Sequence, residues 1–96
     1  MRTVIYRTLF KHDFKREYRG KYRHLLSENG EFERVRNMLA NDMELPMRYH
    51  DHPLHHNWEG SRECHLKPDL LLVYTYIGDE ILRLDRLGSH SEIFGL

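Results

Sequence analysis

The sequence predicts an α+β fold: an N-terminal strand and an antiparallel helix pair packed on one face of a twisted, mainly antiparallel four-stranded sheet. Three observations carry this. Apolar residues recur at helical spacing over the first 40 positions. A nearly unbroken apolar run occupies residues 70–77. A glycine-led turn at Gly78-Asp79 then returns the chain into an alternating stretch. A strand followed by two helices and three strands buries each apolar stripe only as helices laid on a sheet.

Thr3-Val4-Ile5-Tyr6 is short and β-prone, which suits a first strand. Phe10, Phe14, Tyr18, Tyr22 and Leu25 or Leu26 follow at steps of four and three, one face of a helix from about Leu9 to Leu26. Gly20 is expected to bend or end it. Ser27-Glu28-Asn29-Gly30 breaks the pattern, and Phe32, Val35, Met38 and Leu39 form a second helical stripe ending near Asn41-Asp42. Residues 43–60 show neither period and hold Pro46, Pro53, Gly60 and four histidines, His50, His52, His55 and His56. Arg62 to Leu66 alternates weakly as a strand. Leu70 to Ile77 reads as a central strand covered on both faces, with a two-residue turn before a strand over Glu80 to Leu87. Strand parity puts Arg86 with Leu82 and Leu84, at the rim of the apolar face.

Ninety-six residues make a single domain, 1–96, with a small core. Such a chain leaves no room for an enclosed cavity, so an active site has to be an open groove suited to a large substrate. Charge sums to zero, yet residues 1–24 carry eight cations against Asp13 and Glu17, an excess of six that the remainder cancels. That basic third is either a polyanion footprint or a solvated helix face. Arginine outnumbers lysine eleven to four, which favours recognition of phosphate or carboxylate. Cys64 is the only cysteine and reads as a small buried apolar residue. No disulfide, membrane span or signal-peptide core is expected, which points to the cytoplasm.

The chemistry-bearing residues cluster late. His65 and Asp69 flank Pro68, and Arg86 precedes Gly88-Ser89-His90. Histidines suit proton transfer near neutral pH, and arginine suits a phosphate whose charge is growing. This set matches cleavage of RNA by its own 2′-hydroxyl: one group takes the hydroxyl proton, another protonates the leaving 5′-oxygen. His65 is the first candidate for the base, oriented by Asp69, and His90 for the acid, with the two roles exchangeable. His52 is a third candidate. Arg86 is the candidate phosphate clamp, its alternative being a surface ion pair with Glu63, which reads as a surface strand residue ahead of a polar contact in the groove. Arg62 and Arg83 are further candidate contacts. Phe94 either stacks on a base or, with Ile93, pins the tail to the sheet. His50-x-His52 with His55-His56 lacks the cysteines and ligand spacing of a zinc site, so neither metal nor other cofactor is expected.

Asp51-His52-Pro53-Leu54, Trp58, Gly60, Arg62, His65-x-x-Pro68-Asp69 and Arg86-x-Gly88-Ser89-His90 with Phe94 resemble the YafQ-like branch of the RelE superfamily of bacterial toxins. The resemblance covers most of the chain and is specific in its C-terminal half. It implies ribosome-dependent cleavage of messenger RNA in the A site and a cognate DinJ- or RelB-like antitoxin. It places His52, His65, Asp69, Arg86, His90 and Phe94 on the family's functional positions. The rival reading is a non-enzymatic ParE-like toxin acting on a protein such as gyrase. ParE-like chains generally lack this histidine set.

Overall fold

The computed structural model describes residues 1–95. The order of elements is β1 (Thr3–Tyr6), α1 (Thr8–Tyr18), α2 (Arg23–Leu26), α3 (Glu31–Ala40), β2 (His52–Pro53), β3 (Arg62–Lys67), β4 (Leu70–Ile77), β5 (Ile81–Gly88) and α4 (His90–Phe94). The α+β architecture is as expected. The sheet gains a fifth member because His52 and Pro53 pair antiparallel with Glu63 and Arg62. Two residues without an apolar pattern leave no strand signal. The strand order is β1-β5-β4-β3-β2, and β1 runs parallel to β5 while the other pairs are antiparallel.

Aromatic packing explains the helix pair. Phe10 and Phe14 of α1 meet Phe32 of α3 with ring centroids 5.9 and 5.6 Å apart. The expected long first helix breaks into α1 and the short α2 around Gly20, where α1 ends in a tight turn (Gly20 N–H donating to Glu17 O). Under the helices lie Cys64, Leu66, Leu70, Leu72, Tyr74, Leu82, Leu84 and Leu87, all buried. Leu71 and Val73 point the other way and are covered by Ile93 with Leu54, Trp58 and Phe94. β4 is therefore buried on both faces from Leu70 to Tyr74, as its unbroken apolar run requires. Burial also pushes the Cys64 thiol far above its ordinary range, which suits an inert core residue.

Two details differ from sequence parity. The β4–β5 connection is three residues rather than two, since Ile77 pairs with Ile81 and the intervening turn begins at Gly78 with φ +57°. A bulge makes Asp85 an extra residue, because Tyr74 pairs with Leu84 and Val73 with Arg86. Leu87 therefore continues the face of Leu82 and Leu84, and Arg86 moves to the row of Val73 and Glu63. Beyond Leu84, β1 no longer covers β5. There Asp13 of α1 accepts from Leu87 N–H at 3.0 Å, and Arg16 Nη2 donates to Leu87 O at 2.8 Å. A Cβ on Gly88 would lie 2.5 Å from Arg16 Nη2, so this glycine allows the approach. Among the described residues no helix is long and apolar enough to cross a membrane.

Candidate active site

Pleating puts His52, Glu63 and His65 on one side of the sheet, because His52 faces Glu63 across strands and Glu63 and His65 are two apart on β3. Glu63 Oε2 lies 2.9 Å from His52 Nε2 and 3.2 Å from His65 Nε2. Glu63 is not the surface residue expected: only 5% of it is exposed. An ionised carboxylate only accepts, so both histidines donate from Nε2. His65 is then left with Nδ1 as its free nitrogen. His52 is different: its Nδ1 faces the Pro53 carbonyl at 3.0 Å, so both its ring nitrogens face acceptors. His52 thus has no ring nitrogen free of a protein acceptor, unlike His65. Glu63 Oε1 is buried without a hydrogen-bond partner.

Asp69 orients His90 rather than His65. The Pro68–Asp69 turn at the tip of the β3–β4 hairpin brings its carboxylate to the start of α4. Asp69 Oδ1 accepts from the His90 backbone N–H at 2.9 Å and faces His90 Nδ1 at 2.7 Å. The backbone bond first, then the imidazole, holds the Asp69 carboxyl below its ordinary value. His90 is thereby left with Nε2 free. A capping box fixes α4, with Ser89 Oγ accepting from Glu92 N–H at 3.1 Å and Glu92 Oε1 accepting from Ser89 N–H at 2.9 Å. The His90 ring centre lies 5.8 Å from that of His65, which lies 6.1 Å from His52 and 5.6 Å from His50. Four imidazoles thus share one open patch.

The arginines are placed differently from expectation. Arg86 is not paired with Glu63. Its Nε donates to Asp13 Oδ2 at 2.7 Å and its Nη2 to Asp13 Oδ1 at 3.2 Å, with a longer 3.4 Å contact to Glu92 O. Burial alone would raise the Asp13 carboxyl, but hydrogen bonds from Arg86 and the Leu87 N–H outweigh it and hold the group below its ordinary value. Arg62 falls on the face opposite Glu63, where its Nε donates to Asp51 Oδ1 and Tyr74 Oη, each at 3.3 Å. Arg83 is tied to buried Asp85 at 2.6 Å. Neither Arg62 nor Arg83 contacts the histidine patch in these bonds. Phe94 packs edge-on against Trp58 with ring centroids 5.6 Å apart and is half-buried, beside buried Ile93, as the tail-pinning alternative expects.

His52, His65, Asp69 and His90 therefore converge; Glu63 joins them as the groove contact ranked second from the sequence, and His50 joins them unforeseen. The Glu63-x-His65 spacing signals a shared strand face. Asp13 gives no such signal for the site, since Arg86 and Leu87, which it joins to α1, lie 73 and 74 residues away. The donor atoms of His52, Glu63 and His65 lie within 4.8 Å of one another, a grouping that could hold a metal ion. The orphaned Glu63 Oε1 fits such an occupant, and two imidazoles with a carboxylate suit copper or zinc.

A family model for the YafQ toxin, a bacterial toxin of type II toxin–antitoxin systems, matches residues 2–95. The mRNA interferase toxin YafQ of Escherichia coli BL21-DE3 is 41% identical over 58 residues, 60% of this chain and 62% of that protein. The matched segment thus spans less than two thirds of that relative. The crystal structure of the E. coli DinJ-YafQ complex matches at 33% identity and TM-score 0.81, covering 99% of this chain and 100% of the other. A metal-bound toxin from Helicobacter pylori matches at 39% identity and TM-score 0.82, covering 98% of this chain and 100% of the other.

Proposed function

The chain belongs to the YafQ family of bacterial type II toxin–antitoxin toxins, and from that premise we propose that it is a cytoplasmic endoribonuclease that cleaves messenger RNA in the ribosomal A site. The observation that carries this reading is the meeting of His65 and His90, each with one ring nitrogen held by a carboxylate and the other free. That is what an acid–base pair needs: fixed orientation at one nitrogen and availability at the second.

The reaction follows from those atoms. His65 Nδ1 takes the proton of the ribose 2′-hydroxyl as its oxygen bonds to the adjacent phosphorus. The bond from phosphorus to the 5′-oxygen breaks, and His90 Nε2 supplies the proton that this oxygen acquires. The products are a 2′,3′-cyclic phosphate and a 5′-hydroxyl. Exchange of the two roles leaves the products unchanged. His52, with both ring nitrogens facing acceptors, helps either proton transfer. Arg86 offers its remaining guanidinium hydrogens to the growing phosphorane charge while Asp13 fixes its other edge. The face of Phe94 not packed on Trp58 stacks on a nucleobase. Arg62 and Arg83, bound to Asp51 and Asp85, act at most as outlying contacts to the strand.

Analysis of the RNA termini tests the chemistry. Cleaved mRNA from ribosomes programmed in the presence of this protein is expected to carry 2′,3′-cyclic phosphate ends. Ends bearing a free 3′-hydroxyl and a 5′-phosphate would sink the 2′-hydroxyl route.

The partner reading rests on the E. coli relative, whose structure is a complex with DinJ. We infer a DinJ-like antitoxin for this chain. It would use the exposed basic residues of the N-terminal third or cover the histidine groove. Arg16 is less free than its sequence suggests, being paired with Asp13, Glu17 and Glu92.

A second reading concerns metal at the same patch. Copper(II) held by His52, Glu63 and His65 would occupy the two nitrogens that Glu63 now orients. Occupancy would compete with that orientation, so copper(II) is expected to inhibit cleavage and a chelator to restore it. Cleavage that rises when copper(II) is returned to chelator-treated protein would show instead that the ion assists the reaction.

A further inference from the structure

Beside the histidine patch runs a groove of about 570 Å³. His52 and His65 line it, and so do His50 and two cations with no role in the reaction above, Arg48 and Lys67. The local chain explains the placement. Met47–Tyr49 forms one 3-10 turn that packs against β3, and His50 then takes a left-handed conformation (φ 47°, ψ 46°) that turns the chain into β2. A bulge at Leu66 breaks the β3–β4 register between His65 and Lys67. Lys67 Nζ consequently reaches towards the first turn of α3, 3.9 Å from Glu31 Oε2. Tyr49 joins the two cations. Its hydroxyl donates to Glu31 Oε1 at 2.8 Å and accepts from Arg48 Nη2 at 3.0 Å, and the Arg48 guanidinium lies 4.7 Å from the centre of the same ring.

This hub is buried beneath and exposed above. Tyr49 is 4% exposed, whereas Arg48 is exposed and the Lys67 side chain is 44% exposed. Arg48 and Lys67 carry two positive charges against the single carboxylate of Glu31, so the groove wall keeps an unbalanced positive charge next to the reacting groups. An open groove that cleaves a polymer must also hold the nucleotides flanking the cleaved one. The chemical class that meets two adjacent cations in that position is a phosphodiester.

We propose that this groove is a subsite for a second phosphodiester of the substrate RNA, adjacent to the one cleaved, held by Arg48 and Lys67 with Tyr49 and Glu31 fixing them. The proposal rests on the RNA-cleaving reading, and its test separates the two. The full chain is titrated with a 2′-O-methyl oligoribonucleotide, which can bind but cannot react, across a range of salt concentrations. The double variant Arg48→Ala/Lys67→Ala is expected to bind at least about tenfold more weakly, and its salt slope to fall by roughly 0.7, the value for one phosphate contact on a single strand. In mRNA cleavage the same variant should raise KM and leave kcat near the parent value. Lys11→Ala/Lys15→Ala removes the same charge from α1, away from the groove, and should leave the oligonucleotide affinity near that of the parent.

An unchanged salt slope and KM in the groove variant overturns the subsite. So does equal weakening by the two double variants, which would mean a diffuse electrostatic effect. Normal oligonucleotide binding with a defect confined to ribosomes also overturns it, because the phosphate would then belong to ribosomal RNA. A parent protein that binds the oligonucleotide through Arg48 and Lys67 but cleaves no mRNA keeps the subsite and defeats the cleavage reading.

Discussion

His90→Ala is expected to lower mRNA cleavage by a factor of about 10²–10⁴, the usual range for a positioned acid or base, while leaving thermal unfolding almost unchanged. The two halves of this expectation have separate grounds. The His90 side chain is 44% exposed, and its partner Asp69 is more exposed still at 61%. A solvent-exposed pair of this kind contributes little to stability. α4 is instead held by the Ser89–Glu92 capping box and by buried Ile93, which the substitution leaves in place. The proposed chemistry, in contrast, depends on the one nitrogen that Asp69 leaves free. Asp69→Asn should give a smaller loss, because an amide still accepts from the His90 N–H but no longer supports an imidazolium. Cleavage by His90→Ala within about threefold of the parent would remove His90 from the reaction. Circular dichroism melts and single-turnover cleavage on the same preparations separate the two halves.

The parts of this fold that were legible in the sequence are those set by local periodicity. Phe10, Phe14 and Tyr18 recur because α1 shows one stripe to the core, and the run from Leu70 to Tyr74 is apolar because β4 is covered on both faces. The parts that were not legible are set by pairing. The bulge at Asp85 exists only in relation to β4, so counting along β5 puts Arg86 on the wrong face. β2 exists only because His52 meets Glu63. The site divides in the same way. Its histidines stand out by type and motif, but their partners do not. Asp69 lies four residues after His65 but past the end of β3, in the hairpin turn, off the row of His65. It finds His90 instead because the hairpin tip and the start of α4 adjoin. Glu63, two residues from His65, lies on the same face of the strand, and the pleat alone makes that pairing readable.

Asp13 tests how the site is anchored to the helices. It is 2% exposed and accepts four hydrogen bonds, two from Arg86, one from Arg16 and one from the Leu87 backbone. Its removal by Asp13→Ala strands the Arg86 guanidinium, only 17% exposed, and leaves the Leu87 N–H unpaired where β1 no longer covers β5. Breaking a buried pair by deleting one partner costs about 3–5 kcal/mol, because the remaining charge stays desolvated. In a chain of this size that is a fall in Tm of roughly 15 °C or more. Asp13→Asn keeps the shape and one accepting oxygen, and should cost less. The sign of the pH effect follows from the direction of the shift. The Asp13 carboxyl is held below its unfolded value of 3.8, so its contribution is complete above that pH and fades as pH falls through the lower folded value. Asp69 and Glu92 are shifted the same way and add to the acid loss. Stability of the parent should therefore decline below about pH 4, and Asp13→Asn should decline less steeply over the same window. Chemical denaturation at a series of pH values reads both slopes. An Asp13→Ala protein that melts within about 3 °C of the parent would mean that Arg86 finds another partner, and that its position in the site does not depend on α1.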